Sequence, residues 1–380
     1  MGFKKTIVVG YLYNSNGMAA WNLEVAMALH SFGHNVVLVH SKEVNLEREY
    51  PFRTVCFDIK RNFNFLERVI FHFKRLYNKR YGFAFELDKF LRSMSIEPGI
   101  YLFNQSNLYD IRVSVPQYIK ASTYPSKLKS YLRSYYLSAD FKKSAPKKLI
   151  NHFIEVVGWY FTDWYAYKKA SGILCHTELL AQELKSTGVR AHFVPPPILV
   201  HHEILNTKLN ETPVFLTVAL DVEDKRKRIK WIINNFLESG IDGELRIVGN
   251  VSSEFKDLYK FSSNITFLGK VSREEMPAIY VKADIFLFAS TSDTWGYVLT
   301  EAMSNGLIVI APDLYPYDYI IGNKKYLYSL LDGQDFQQKI KSVANTEISV
   351  IDKEFFNKRA IKEFSHEGFA KKISLVANIL

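Results

Sequence analysis

The sequence has little cysteine and no long apolar run. Only Cys56 and Cys175 are present among 380 residues, which are too few and too far apart for a disulfide framework or a zinc cluster. No apolar run approaches the roughly 18 to 20 residues that a membrane-spanning helix needs. The residues after Met1 have the pattern of a first strand and not of a signal peptide. We therefore expect a soluble or peripheral protein with reduced thiols in the cytoplasm.

The composition favours two domains with a basic surface. Hydrophobic residues make up 48% of the chain, so a chain of this length can bury two sizeable cores. The formal net charge is +10 and the sequence pI is about 9.2. Such a charge favours negatively charged partners.

The stretch 283–313 has the pattern of a ligand site. Residues 285–288 form a short uncharged apolar run, which is typical of a parallel strand covered on both faces. A polar loop at 290–293, then Gly296, lead into a predicted helix and a second strand at 307–311. The start of a helix beyond the carboxyl edge of a parallel sheet presents unpaired N–H groups, which suit phosphate or sugar oxygens.

Two acidic residues flank this turn, and they carry a family resemblance. Asp293-x7-Glu301 followed by Ala302-Met303-Ser304-Asn305-Gly306 resembles the donor-site signature of the family 4 glycosyltransferases, which is E-x7-E followed by A-M-x-x-G. Residues 265–290 resemble the same family, including the Ala283-Asp284 pair before the strand. The first acidic position is aspartate, one methylene shorter than the glutamate of the family.

This resemblance implies a fold and an activity. The fold is α/β, of the GT-B type, with two Rossmann-like parallel-sheet domains that face each other across a cleft and a C-terminal helix that crosses back to the first domain. We place the acceptor-side domain at 1–198 with the crossover helix at 360–380, and the nucleotide-sugar domain at 213–359. The implied enzyme is a retaining hexosyltransferase of class EC 2.4 with a UDP- or GDP-linked donor, no cofactor and no metal.

The resemblance also implies roles for residues of the second domain. Glu301 accepts hydrogen bonds from the ribose hydroxyls of the donor. Asp293 contacts the transferred sugar and its phosphate together with the backbone N–H groups that follow it. Gly249 ends a segment similar to an L-x-I-V-G strand of the family and is a further donor-binding candidate. The backbone groups after Asp293 belong to Thr294, Trp295, Gly296 and Tyr297.

A cation for the donor diphosphate is expected near residues 225–228. These four residues are consecutive cations at the start of a predicted helix, and the family places an arginine and a lysine after the preceding strand. Counting forward from Ala219 selects Lys225, whereas aligning back from Phe236 selects Lys227. Both lysines remain candidates, and a solvated cationic face is the alternative for the cluster.

Candidates in the first domain lie after its strands. Asn16 and Gly17 occupy the turn where the family has a glycine-rich loop, although a simple tight turn explains them equally well. Asn104 follows a predicted strand and is an acceptor-side candidate. Many relatives carry a histidine near the donor sugar, but Ser122 or Thr123 stands at that position here. A donor-binding pseudoenzyme is therefore an open alternative.

Two basic segments rich in aromatic residues, 60–80 and 120–150, suggest the acceptor. An amphipathic basic helix is typical of a membrane-surface element, but also of a core-facing helix with a solvated cationic side. With the net charge, these segments favour an anionic or lipid-linked glycan, such as a polyprenyl-diphosphate-linked one, at the inner face of the membrane. The alternative acceptor is nucleic acid, as in enzymes that glucosylate modified DNA bases.

Overall fold

The computed structural model describes the chain in blocks. They are residues 5–12, 17–44, 46, 49–58, 83–105, 108–121, 164–200, 210, 212–291, 293, 295–344 and 346–377.

The chain divides into two compact units. The first unit contains Met1–Pro197 and His366–Leu380, and the second unit contains Ile198–Ser365. The second unit is longer at both ends than the predicted domain 213–359. The Ile198 N–H donates to the Phe364 carbonyl at 2.9 Å, so residue 198, which was predicted to end the first domain, is attached to the second unit.

The first unit contains a seven-stranded parallel sheet in the order β3-β2-β1-β4-β5-β6-β7. Its strands are short apolar runs, and every residue of β6 is buried, as expected where helices cover both faces of a parallel sheet. The strands are β1 (Thr6–Leu12), β2 (Asn35–His40), β3 (Arg53–Cys56), β4 (Pro98–Phe103), β5 (Gln117–Ala121), β6 (Gly172–Cys175) and β7 (Ala191–Phe193). Helices of this unit are α1 (Gly17–Ser31), α2 (Phe83–Ser93) and α3 (Glu178–Lys185), and residues 164–169 are also helical.

The second unit contains a six-stranded parallel sheet in the order β10-β9-β8-β11-β12-β13. Its strands are β8 (Val214–Asp221), β9 (Glu244–Asn250), β10 (Ile265–Gly269), β11 (Ile285–Leu287), β12 (Ile308–Pro312) and β13 (Leu327–Tyr328). Its helices are α4 (Ile229–Ser239), α5 (Ser253–Asp257), α6 (Met276–Val281), α7 (Tyr297–Ser304), α8 (Tyr317–Ile321), α9 (Gly333–Val343) and α10 (Thr346–Phe364), with a 3-10 turn at Lys324–Tyr326. Two Rossmann-like parallel-sheet domains were predicted, and that fold class is confirmed.

The terminal helix α11 (His366–Val376) belongs to the first unit. It packs on α1, where His366 Nε2 lies 2.7 Å from a Glu24 carboxylate oxygen. Tyr118 of β5 donates its hydroxyl to the Val376 carbonyl at 3.2 Å. The last helix is therefore attached to both a helix and a strand of the first unit.

The basic segments of the sequence have different outcomes. Residues 60–80 and most of 120–150 lie outside the described residues. Lys120 was counted with the second segment, and this was wrong, because it lies in β5 between two neighbouring strands and is buried. Within the described part of the chain, no helix has both the length and the apolar character that a membrane crossing requires.

Candidate functional site

The turn between β8 and α4 presents Lys227. The Lys227 N–H donates to the Asp224 carbonyl at 2.9 Å, and the Arg226 guanidinium pairs with the Asp224 carboxylate at 2.6 Å. The hydrogen bond from Arg226 holds the pKa of Asp224 below its ordinary value. The turn is thus fixed by its own acidic and basic side chains.

Arg228 closes the turn in a strained conformation. It has a φ of 55°, in the left-handed region that residues other than glycine rarely adopt. Its guanidinium donates to the Leu330 carbonyl at 2.8 Å and lies 4.2 Å from the centroid of the Trp231 ring. These two contacts hold Arg228, the residue next to Lys227, in place.

Lys227 meets Asp293 across the carboxyl edge of the sheet. The Lys227 Nζ lies 2.6 Å from each Asp293 carboxylate oxygen. The Thr291 N–H donates to the Arg226 carbonyl at 3.0 Å, so the two loops are also joined through their backbones. Both side chains of the ion pair remain about one-fifth exposed, 23% for the lysine and 22% for the aspartate. The pair is therefore fixed in position and open to a ligand.

Two aromatic side chains, those of Tyr317 and Trp295, hold the loop that carries Asp293 in place. The Asp293 N–H donates to the Tyr317 hydroxyl at 2.9 Å, and burial raises the pKa of Tyr317. Trp295 is buried, and its ring packs edge-on against Phe364 at 5.6 Å between centroids. The buried Trp295 side chain thus anchors the loop. The predicted contact of Trp295 with the ligand can therefore come only from its backbone N–H.

Glu301 lies on α7, and Tyr280 of α6 holds its carboxylate. The Tyr280 hydroxyl donates to Glu301 Oε2 at 3.0 Å. Burial and the nearby carboxylate raise the pKa of Tyr280 well above its ordinary value, so the phenol stays protonated and donates. Gly296 caps the start of the helix with a φ of 82°, and Tyr297 is the first helical residue. The sequence pattern placed Glu301 correctly within this helix.

Gly249 has a structural reason to be glycine. Its φ is +144°, and a Cβ atom at this position would lie 2.0 Å from the Ala219 carbonyl oxygen of the neighbouring strand. The close approach of β8 and β9 therefore requires glycine here. The predicted donor contact of Gly249 stays a prediction.

Lys225 lies on the same turn as Lys227 but is exposed. No hydrogen bond or ion pair joins its side chain to any described residue. The structure brings Lys227, and not Lys225, to Asp293.

The first-unit candidates are only partly described. Gly17 is the first residue of α1. Asn104 follows β4, is 5% exposed, and donates from Nδ2 to the Tyr11 carbonyl at 3.2 Å. Asn16 and Thr123, like Thr294 of the second unit, lie outside the described residues. In the described blocks, no group of three or more His, Cys, Asp and Glu side chains could hold a metal ion.

Sequence reasoning missed Tyr280 and Tyr317, and it counted Arg228 only as one of four cations at the helix start. Tyr280 lies inside the stretch that carries the family resemblance, but its 21-residue separation from Glu301 hides the contact. Tyr317 supports Asp293 from 24 residues away.

Comparison with known proteins places this arrangement in context. Residues 206–374 match the sequence model of the family described as glycosyl transferases group 1. The sulfoquinovosyl transferase of Arabidopsis thaliana is 30% identical over 142 residues, which is 35% of this chain. The match spans 27% of the length of that relative.

Solved structures extend the likeness to the whole chain. The sucrose-phosphate synthase from Thermosynechococcus elongatus has a TM-score of 0.69 at 14% identity, covering 99% of this chain and 98% of the other. The fold is the GT-B fold. A second GT-B protein, the lipopolysaccharide glycosyltransferase WaaG, has a TM-score of 0.63 at 14% identity over 98% of this chain and 99% of its own. The Anabaena protein HepE, solved in complex with UDP and glucose, has a TM-score of 0.63 at 12% identity, covering 99% of this chain and 100% of its own.

Proposed function

We propose that the protein is a glycosyltransferase that uses a nucleotide-sugar donor. The observation that carries the proposal is the convergence of Lys227, Asp293 and Glu301 on loops and a helix at the carboxyl edge of the second sheet. Ligands of open α/β sheets bind at this edge. The match of residues 206–374 to the group 1 glycosyl transferases supports the assignment.

Lys227 is the proposed partner of the donor diphosphate. The leaving diphosphate needs a cation as the anomeric bond breaks, and a fixed ammonium supplies it without reorganisation. In the free protein Lys227 is neutralised by Asp293 at 2.6 Å. When Lys227 pairs with the donor diphosphate instead, the Asp293 carboxylate becomes available to accept hydrogen bonds from the hydroxyls of the transferred sugar.

Glu301 is the proposed partner of the ribose. A carboxylate accepts hydrogen bonds from two neighbouring hydroxyls, and such charge-assisted bonds are among the strong ones. Tyr280 holds one carboxylate oxygen at 3.0 Å, which fixes the orientation of the group before the nucleotide arrives. The structural relative from Anabaena, solved with UDP and glucose, supports a nucleoside diphosphate sugar as the donor.

The proposed reaction retains the anomeric configuration and needs no metal. Lys227 and the amino end of α7 carry the diphosphate charge, since the first N–H groups of a helix form a positive end. Water is kept from the reacting carbon by closure of the site around the sugar. The donor is UDP- or GDP-linked, and the class is that of the hexosyltransferases, EC 2.4.

The proposed acceptor is an anionic or lipid-linked glycan. The net charge of +10 supports a negatively charged partner. A lipopolysaccharide glycosyltransferase among the structural relatives supports a glycan on a lipid. The proposed location is the cytoplasm, at the inner face of the membrane.

Donor binding tests the proposal directly. We expect one UDP- or GDP-linked sugar to raise the melting temperature of the full chain, because a ligand that binds only the folded state stabilises it by mass action. Glu301→Ala should weaken that binding by roughly 1.5 to 3 kcal/mol, the range for hydrogen bonds to charged groups. Glu254→Ala, at an exposed glutamate of α5, is the matched control.

The outcomes separate the alternatives. No binding of UDP-, GDP- or ADP-linked sugars to the wild type would exclude the proposal. Binding without transfer to any glycan acceptor would identify a donor-binding pseudoenzyme. NMR of the first product would give the anomeric configuration, and inversion would contradict the retaining assignment.

A further inference from the structure

Polar residues line the carboxyl edge of the first sheet, on the neighbouring strands β4, β5 and β6. Asn104 follows β4, Lys120 lies near the end of β5, and His176 follows β6. Phe103 is in register with Ile119, which places Asn104 beside Lys120 on strands about 4.8 Å apart. The His176 N–H donates to the Ala121 carbonyl at 3.2 Å. The three residues therefore belong to one place in the fold.

Lys120 is buried, and the described part of the chain gives it no counter-ion. It is 6% exposed, and no carboxylate among the described residues pairs with it. Its Nζ lies 5.4 Å from the centroid of the Trp21 ring of α1, and a cation–π contact offsets only part of the cost of burying a charge. Burial lowers the pKa of Lys120 to about 7.

Among the described residues, no titratable group near Lys120 pairs with it as an anion. His176 is 1% exposed, and burial together with Lys120 lowers its pKa well below the ordinary value, so it is neutral. Glu24 of α1 is engaged by His366 at 2.7 Å. Cys175 of β6 is a buried thiol whose pKa is raised to about 12 by burial.

Two buried amides near this edge lack hydrogen-bond partners. Asn22 follows Trp21 on α1 and is fully buried, and neither its Oδ1 nor its Nδ2 has a partner in the described part of the chain. The Oδ1 of Asn104 is in the same condition. Buried polar side chains are nearly always hydrogen-bonded in folded proteins. The unused amide groups therefore point to a polar ligand.

We propose that the carboxyl edge of the first sheet binds an oxyanion of the acceptor, a carboxylate or a phosphate, with Lys120 as its counter-ion. The identification of this anion as the acceptor rests on the proposed function, whereas the existence of the anion site does not. Entry of the anion favours the ammonium form, so Lys120 takes up a proton on binding when the pH is above 7. Asn22 and Asn104 offer amide groups to the oxygens and hydroxyls of the same ligand.

Calorimetry on the full chain tests this site with three simple sugars. The probes are glucuronate for the carboxylate, glucose 6-phosphate for the phosphate, and glucose as the neutral reference. We expect at least one anion to bind at pH 6.5 ten times or more tightly than glucose. At pH 8.5, titrations in two buffers of different ionisation enthalpy should show uptake of close to one proton for each anion bound.

Lysine variants identify the residue. Lys120→Met should lose the preference for the anion, whereas Lys168→Met should keep it. Lys168 is a matched control because its Nζ also lies over a tryptophan ring, at 4.9 Å from Trp164, but the residue is exposed. Lys120→Arg should keep anion binding without proton uptake, because arginine stays charged.

Three results would overturn the proposal. They are equal binding of glucose and both anions by the wild type, full anion preference in Lys120→Met, and the same proton uptake in Lys120→Arg as in the wild type. UDP binding is measured on each variant and should not change. Absence of UDP binding in a wild type that binds anions would contradict the proposed function and leave the anion site standing.

Discussion

The Lys227 ammonium lies 2.6 Å from both carboxylate oxygens of Asp293, although 66 residues separate the two in sequence. The contact joins the turn after β8 to the loop after β11, and these strands are neighbours in the sheet. A partly exposed ion pair of this kind adds little to stability. Its position at the carboxyl edge of the sheet supports the binding role that we propose for it.

Replacing Lys227 by methionine should weaken nucleotide-sugar binding by roughly 1.5 to 3 kcal/mol, or about 10- to 150-fold in Kd. The lost group is the ammonium that we propose to pair with the diphosphate. Calorimetry with the donor identified for the wild type measures the change. Lys225→Met, on the same turn but exposed, should bind the donor as the wild type does. A larger loss for Lys225→Met than for Lys227→Met would show that the wrong lysine was chosen.

Tyr280→Phe should raise the KM for the donor about 5- to 20-fold and leave kcat nearly unchanged. The substitution removes the hydroxyl that donates to Glu301 Oε2 and keeps the buried ring, so its effect acts through the orientation of the carboxylate. Tyr259→Phe removes a hydroxyl that donates to Asn234 at 3.0 Å and serves as the control. If both variants change KM equally, Tyr280 has only a structural role.

Lys120→Met should stabilise the folded protein, most strongly at low pH. The unfolded lysine has its ordinary pKa of 10.5, whereas burial lowers the pKa of the folded one to about 7. The unfolded state thus binds more protons between these values, and wild-type stability rises with pH there by up to roughly 1 kcal/mol per unit. Urea unfolding at pH 6.5, 8 and 9.5 should show the advantage of the variant shrinking. A constant difference would mean that Lys120 is charged in the folded state.

Gly249→Ala should destabilise the protein by roughly 2 to 4 kcal/mol, because the added Cβ must displace the Ala219 carbonyl and the backbone is held at a strained φ. Gly240→Ala is the control. Gly240 has a φ of +65° but no atom within 4 Å of the added Cβ, so it should cost only about 1 kcal/mol. Denaturant unfolding measures the free energy lost in each variant. An equal or larger loss for Gly240→Ala than for Gly249→Ala would contradict the prediction.

Sugar transfer should survive chelation. Dialysis against EDTA should leave the rate with the preferred donor within about twofold, because Lys227 and the start of α7 carry the charge that a divalent ion carries elsewhere. The measurement is the initial rate before and after chelation. Loss of activity that Mn²⁺ or Mg²⁺ restores would contradict the metal-independent mechanism.

The buried strands could be predicted because they leave a local signal. Strand β6 at Gly172–Cys175 and strand β11 at Ile285–Leu287 are uncharged apolar runs in the sequence. Strand β5 was missed because Lys120 interrupts its apolar run, and only the fold shows that this lysine is inside. The long helix Thr346–Phe364 was missed for a different reason, since its apolar residues do not follow one face of a helix.

The candidate donor site was predictable in part. The spacing of Asp293 and Glu301 is local and was visible in the sequence. The choice between Lys225 and Lys227 depended on a contact across 66 residues, and a count along the chain could not decide it. The support given to Glu301 by Tyr280 depends on the packing of α6 against α7, which no sequence pattern encodes.

The second unit begins and ends at one point. Ile198 pairs with Ser365 in an isolated parallel bridge, and the Ile198 N–H donates to the Phe364 carbonyl. A segment whose ends already meet can be exchanged as a single cassette, since its removal leaves two neighbouring chain ends for a substitute to join. Chimeras that replace residues 198–365 with the corresponding segment of a relative should therefore fold. Each chimera would take on the donor preference of the relative that supplied the segment.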